Sequence, residues 1–282
     1  MASPSNLAVV ICHGSYHTPA PYAPLMEALK AVGIDAYCPQ LPSSDLSLLN
    51  VGDPNSPNFD LGPPSGGYPQ GSEDTKAVLD VLMPLIDNQE KKVLIVGHSS
   101  GGWVATEVAR PELQAKTRNQ RGLTGGIIGI FYIGAFIIPI GESVHSFFQP
   151  KDGTFLVPPF LDFHKYGGVG LATPKKAENF FFNDLDPEAA KKWAATLTAS
   201  PVMTSKLVND AYSALPCAYL VLEGDVTLPK DYQENMVALQ AQKTGVFTLY
   251  RSPSGHSPHL SWTDGTVGKI QEFIDICSVK AW

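Results

Sequence analysis

Apolar residues in this chain fall into short unbroken runs separated by longer stretches in which they recur at helical spacing. The runs cover residues 7–12, 36–38, 93–96, 126–134, 218–222 and 246–250. Most are continuous blocks without strict alternation, which is the pattern of parallel strands buried on both faces. Between them, Leu25, Leu29 and Val32 form one helical stripe that Gly33 can stop. Val78, Leu82 and Leu85 form a second, with Ser72 as its expected N-cap, Thr75 following and a kink at Pro84. Val267, Ile270, Phe273, Ile274 and Cys277 form a third near the end. Strands alternating with helices at this spacing predict an α/β fold, a doubly wound, mostly parallel sheet of about six strands with right-handed crossovers.

Two segments break the rhythm. Residues 42–71 are rich in Pro, Gly, Ser, Asn and Asp and read as a long surface loop. Residues 139–205 separate two strand candidates and carry helix-like pieces at 174–182 and 187–197. An insertion of that length is expected to be functional, and it is read as a helical cap (lid) within the same domain, over a core formed by 1–138 and 206–282.

The tightest local signal is at the third strand candidate. Val93-Leu94-Ile95-Val96 runs into Gly97-His98-Ser99-Ser100-Gly101 and then into the helical stretch that starts near Gly102. A G-x-S-x-G turn between strand and helix holds its serine on a sharp corner with the hydroxyl exposed at the carboxyl edge of the sheet. Serine is a weak nucleophile without a base. Downstream, the run 218–222 ends in Glu223-Gly224-Asp225. The last strand candidate leads into Ser252-Pro253-Ser254-Gly255-His256-Ser257. Ser99, Asp225 and His256 therefore follow the chain order serine, acid, histidine, each just beyond a strand. Glu223 competes with Asp225 and His259 with His256. Asp225 is preferred for its loop position, while His259 is assigned to surface or packing duty. His98 is expected under the turn, and His145 and His164 have no evident partner. For the oxyanion, the expected donors are the backbone N–H groups of Ser100 and of Ser15, the latter in the loop His13-Gly14-Ser15-Tyr16-His17 after the first strand. His13 is read as a buried imidazole holding that loop, and Trp103 as packing. Candidate pocket residues are Gly14, Tyr16, Phe136, Phe148, Phe181 and Trp193, with Phe147 and Phe180 also near the cap.

These features together resemble the α/β-hydrolase superfamily, in particular the compact branch of plant methylesterases, hydroxynitrile lyases and uncharacterised microbial esterases. The likeness rests on His13-Gly14, Gly97–Gly101, Asp225, Gly255-His256 and the cap stretch Phe181-Phe182-Asn183-Asp184-Leu185-Asp186-Pro187-Glu188. It implies hydrolysis of a small, largely apolar carboxylic ester or lactone through an acyl-enzyme. The same triad also serves carbon–carbon bond hydrolysis of β-diketone-like metabolites, and the scaffold also hosts ligand-binding receptors. The lyases carry a threonine and a lysine where this chain has Gly14 and Ser257, which speaks against cyanohydrin cleavage. Ser99, where epoxide hydrolases and dehalogenases of this fold carry aspartate, speaks against both.

Composition narrows the partners. Charged residues make up 17% and the net charge is −7 with no basic cluster, so a nucleic-acid partner is not expected. No apolar run is long enough to span a bilayer, and the first residues lack a signal-peptide pattern. A cytoplasmic protein without membrane attachment is expected. The four cysteines sit singly, with no CxxC, and read as buried free thiols. No metal or cofactor is implied, and a homodimer stays open.

Overall fold

The computed structural model describes residues 6–244 and 247–280. Nine strands are present among them: β1 Leu7–Cys12, β2 Asp35–Tyr37, β3 Lys92–His98, β4 Gly126–Ile133, β5 Leu161–Phe163, β6 Leu171–Pro174, β7 Ser200–Pro201, β8 Cys217–Leu222 and β9 Thr248–Ser252. Six of them form one sheet in the order β2-β1-β3-β4-β8-β9, and every neighbouring pair is parallel. The six sequence runs thus match six strands, with ends shifted by a residue or two. Val246, in the last of the runs, lies outside the described residues.

The unbroken apolar runs have the expected cause. On one face Val10, Ile95, Tyr132 and Tyr219 pack with the helices Gly71–Asp87, Gly101–Val108 and Lys230–Thr244. On the other, Val9, Ile11, Leu94, Val96, Phe131 and Leu220 pack with the helices Ala23–Ala31 and Thr263–Lys280. A strand covered on both sides has no polar face to offer. The edge strand β9 departs from this and alternates, with Leu249 and Arg251 exposed.

Three expectations are corrected. The segment 139–205 is not purely helical. Besides the helices Val144–Phe148, Ala177–Phe180 and Pro187–Ala194 it contains an antiparallel sheet β5-β6-β7. Strands of two to four residues leave almost no periodic signal. The loop 42–71 is not confined to the surface, because Leu49 and Val51 pack with Leu171 and Ala199 of the cap segment. The second helix starts at Gly71 and not after Ser72. Glu73 closes its first turn by accepting from the Gln70 N–H at 2.9 Å, while the Ser72 hydroxyl donates to Glu73. Among the described residues no helix is long and apolar enough to cross a membrane. The four cysteines are free, three of them buried and Cys38 half-buried.

Sheet order decides where loops meet. The chain runs outward from β1 to β2, then returns to place β3 on the other side of β1. The carboxyl ends of β1 and β3, in register at Cys12 and Gly97, flank this switch point, where open α/β sheets keep their ligand crevice. The loops after β8 and β9 leave the same edge side by side, with Leu222 paired to Ser252. The helix after β3 reaches the sheet only because Gly101 has no side chain: a methyl there would overlap the Cys12 carbonyl oxygen. Gly101→Ala is expected to lower unfolding stability by about 3 kcal/mol. Gly268→Ala, in a helix with open space around the position, should leave it unchanged or raise it by up to about 1 kcal/mol. Urea unfolding of both variants checks this contrast, and equal stabilities would contradict the close-packing argument.

Candidate active site

Ser99 follows β3 with φ of 52°, in the left-handed region that a non-glycine residue occupies only under constraint. The corner is held from the sheet: the Ser99 N–H donates to the Ile133 carbonyl at 3.3 Å, and its own carbonyl accepts from Phe136 N–H at 2.8 Å and Gly102 N–H at 3.1 Å. The result aims the side chain at a cavity above the carboxyl edge of the sheet.

His256 and Asp225 meet on that edge. The imidazole Nδ1–H donates to Asp225 Oδ2 at 2.7 Å, and both side chains are fully shielded from solvent. The other carboxylate oxygen accepts from the Thr227 and Leu228 N–H groups at 2.8 and 2.9 Å, and Gln233 Nε2 donates to Oδ2 at 3.4 Å. A carboxylate only accepts, so Nδ1 carries the proton and Nε2 carries a lone pair. That Nε2 is buried and makes no hydrogen bond, so it is not bonded to Ser99 Oγ in this structure. Contacts of this kind often tighten only when substrate is bound. Glu223 is turned outward to Arg251, at 3.4 Å, and Asp225 is the carboxylate that meets His256.

Beneath the serine lies a core of imidazoles. His98 Nε2–H donates to the His256 carbonyl at 2.8 Å, so its Nδ1 accepts from the Tyr22 hydroxyl at 2.6 Å. Tyr22 in turn accepts from the Gly14 N–H at 3.2 Å. One buried chain of hydrogen bonds thus links the loop after β1 to the backbone of His256. His259 is buried and stacks on Tyr22 at 4.3 Å, a packing role. His13 donates from Nδ1 to the Gly14 carbonyl and accepts at Nε2 from the Leu41 N–H, both at 2.9 Å, and so ties down its loop as expected. Burial lowers the pKa of His13 to about 4 and that of His17 to about 3, and puts His98 and His259 well below the usual imidazole value.

The expected oxyanion donors sit together, with a difference. The Ser100 N–H has no acceptor among the described residues. The Ser15 N–H is not free: it donates to Ser100 Oγ at 2.6 Å, and the two hydroxyls lie 2.8 Å apart. The residue after Ser99 carries a hydroxyl, and that group has taken the amide that was expected to face substrate.

The cavity holds about 410 Å³. Ser15, Ser99 and Ser100 form its polar floor, and four of the candidate pocket residues, Tyr16, Phe136, Phe148 and Phe181, are among those lining it. Trp193 does not. It packs against the buried cluster of Ala177, Phe181, Phe182 and Ala190 in the cap segment, under the Lys192 ammonium. Gly14 lies against Ser99 without lining the cavity, Phe147 packs on Phe148, and Phe180 packs on Phe160. His145 reaches the cavity, whereas His164 bonds Thr173 and His17 is buried behind the floor. No lysine, arginine, aspartate or glutamate is among the lining residues described. Sequence reasoning missed Phe155, Phe160, Met203 and Leu228 on the walls, and Tyr22 and Gln233 behind the site. Tyr22 left one usable signal, an aromatic polar group nine residues after His13 in a helix start otherwise apolar.

Comparison with known proteins bears on the fold. A family profile described as "Alpha/beta hydrolase family" matches residues 9–268. A protein from Aspergillus novofumigatus, described as alpha/beta hydrolase nvfD, is 25% identical over 268 residues, spanning 94% of this chain and 95% of that one. Among solved structures, a pyrethroid hydrolase from Sphingobium faniae superposes with a TM-score of 0.68 at 18% identity, over 95% of this chain and 97% of that one. A methylesterase from Arabidopsis gives 0.63 at 18% identity, over 96% and 99%.

The buried imidazoles make stability depend on pH with a definite sign. Their folded pKa values lie below the unfolded value near 6.5, so below that pH the unfolded chain binds protons the folded chain refuses. The imidazoles' contribution to stability is complete above about pH 6.5 and falls as pH drops toward 4, by up to about 1.4 kcal/mol per pH unit for each imidazole. Asp74, raised by burial to about 6, opposes this by one proton. A melting temperature unchanged between pH 7 and pH 5 would contradict the buried neutral state.

Proposed function

The chain belongs to the α/β-hydrolase family, and from that premise we propose that it is a serine hydrolase acting on a neutral, largely apolar carboxylic ester or lactone. The observation that carries this reading is the solvent-free His256–Asp225 pair, whose tautomer leaves an unpartnered lone pair on Nε2, on a ring 4.8 Å from that of His98, the residue before Ser99.

In this reading Ser99 Oγ attacks the carbonyl carbon while its proton passes to His256 Nε2, and Asp225 faces the imidazolium that forms. The developing oxyanion accepts from the Ser100 N–H, and from the Ser15 N–H once the Ser100 hydroxyl turns away from it. Collapse of the tetrahedral intermediate expels the alkoxide, which takes the proton from His256. Water, activated by the same Nε2, then releases the acid.

Cavity chemistry supports the substrate class. Aromatic and aliphatic walls with no charged lining residue favour a neutral molecule, since an unpaired charge moved into such surroundings loses its hydration without a partner. A volume of about 410 Å³ exceeds the need of an acetate ester and falls in the range that takes drug-sized ligands. Of the solved structures that share the fold, one is by its name a hydrolase of pyrethroids and another a methylesterase.

Two outcomes are expected. The protein turns over p-nitrophenyl esters and is labelled by a fluorophosphonate, and Ser99→Ala loses the labelling and at least about 10³-fold in kcat while still folding. A p-nitrophenyl hexanoate has a lower KM than the acetate, and a hemisuccinate of similar size is a poor substrate. Native protein that binds apolar esters without hydrolysing them or taking the label would point to a binding protein on this scaffold.

A further inference from the structure

We propose that Asn183 and Asp184, both in the cap segment, are positioning residues that hold the acid and base loops in register. The proposal rests on the reading of Ser99, His256 and Asp225 as the triad. Asp184 Oδ2 accepts from the Gly255 N–H at 2.6 Å, directly before His256. Asn183 Nδ2–H donates to the Gly224 carbonyl at 3.0 Å, directly before Asp225. The Ser257 hydroxyl, directly after His256, donates to the Phe181 carbonyl at 2.8 Å. One stretch of four residues therefore grips the chain neighbours of both members of the pair.

The two loops are also joined to each other, with Gly224 N–H donating to the Ser254 carbonyl at 3.0 Å. The glycine at 255 is part of the fit, since a methyl there would overlap the Asn183 side-chain oxygen. The same stretch reaches the cavity: the Phe181 ring lines it and meets the His256 ring edge-on at 5.7 Å. A segment outside the sheet thus fixes where Nε2 points and forms part of the wall that substrate touches. A His256 backbone released by a fraction of an ångström keeps its bond to Asp225 but loses its aim at Ser99, and misplacement near 1 Å costs about 10²-fold.

The test compares Asp184→Ala with Asp184→Asn, using p-nitrophenyl hexanoate turnover and amide hydrogen exchange across residues 253–257. Asp184→Ala should lower kcat by about 10- to 100-fold with KM within about threefold, and should speed exchange at 255–257. Asp184→Asn keeps an acceptor in place and should restore kcat to within about threefold of native. A native kcat in Asp184→Ala, a loss confined to KM, or equal damage in both variants would overturn the proposal, as would unchanged exchange at 255–257. Should Asp184→Ala not fold, Asn183→Ala removes the Gly224 tether alone: kcat should fall by about 10-fold with KM within about threefold, whereas a native kcat or a loss confined to KM would overturn the proposal. A native protein inert to esters and to the fluorophosphonate would sink the hydrolase reading, and the exchange measurement would still decide whether the clamp exists.

Discussion

The hydrogen bond from His256 Nδ1–H to Asp225 Oδ2 is made where neither side chain touches solvent, so it fixes which imidazole nitrogen of His256 carries the proton. In water an imidazole exchanges tautomers freely. Against an acceptor-only carboxylate it cannot, and its second nitrogen is left as a lone pair in a dry site. That constraint reaches backward into the fold. It requires the loops after β8 and β9 to leave the sheet side by side, which their parallel pairing provides. It also requires an acid with its remaining oxygen already satisfied, which the Thr227 and Leu228 amides provide.

The serine is governed by a different constraint, steric in origin. The left-handed Ser99 is a local cost that the surrounding sheet over-determines, through the bonds from Ile133 and Phe136 and the contact of Gly101 with the end of β1. Strain stored at a corner and relieved by no nearby rearrangement keeps a side chain where the sheet points it. The imidazole core beneath adds a second support, joining Gly14, Tyr22, His98 and the His256 carbonyl in one line. The loops that would bind the oxyanion and hold the base are thereby parts of one hydrogen-bonded unit.

Much of this was legible in the sequence because it is local. The six strand runs, the elbow around Ser99 and the loop positions of Asp225 and His256 each leave a pattern within a dozen residues. What was not legible depends on side chains meeting from distant segments. The short strands β5, β6 and β7 carry no periodicity, so the cap segment read as helical. Trp193 sits on a helix that turns it into the cap's own cluster and away from the cavity, a matter of orientation that spacing alone does not settle. The pairing of Ser15 N–H with Ser100 Oγ joins residues 85 positions apart. The stretch from Phe181 to Glu188 was recognisable as a likeness, yet its grip on residues 224, 255 and 257 required the folded chain.

Asp225→Asn tests the central constraint most directly. Asparagine can still accept from the Thr227 and Leu228 amides through its oxygen, so the fold should persist. The group then facing His256 Nδ1 is an NH₂ donor, which forces Nδ1 to accept and moves the proton to Nε2. The account predicts a folded variant with kcat lowered by about 10⁴-fold on p-nitrophenyl esters and an imidazole nitrogen spectrum showing the exchanged tautomer. A variant with native turnover, or with the native tautomer retained, would contradict it.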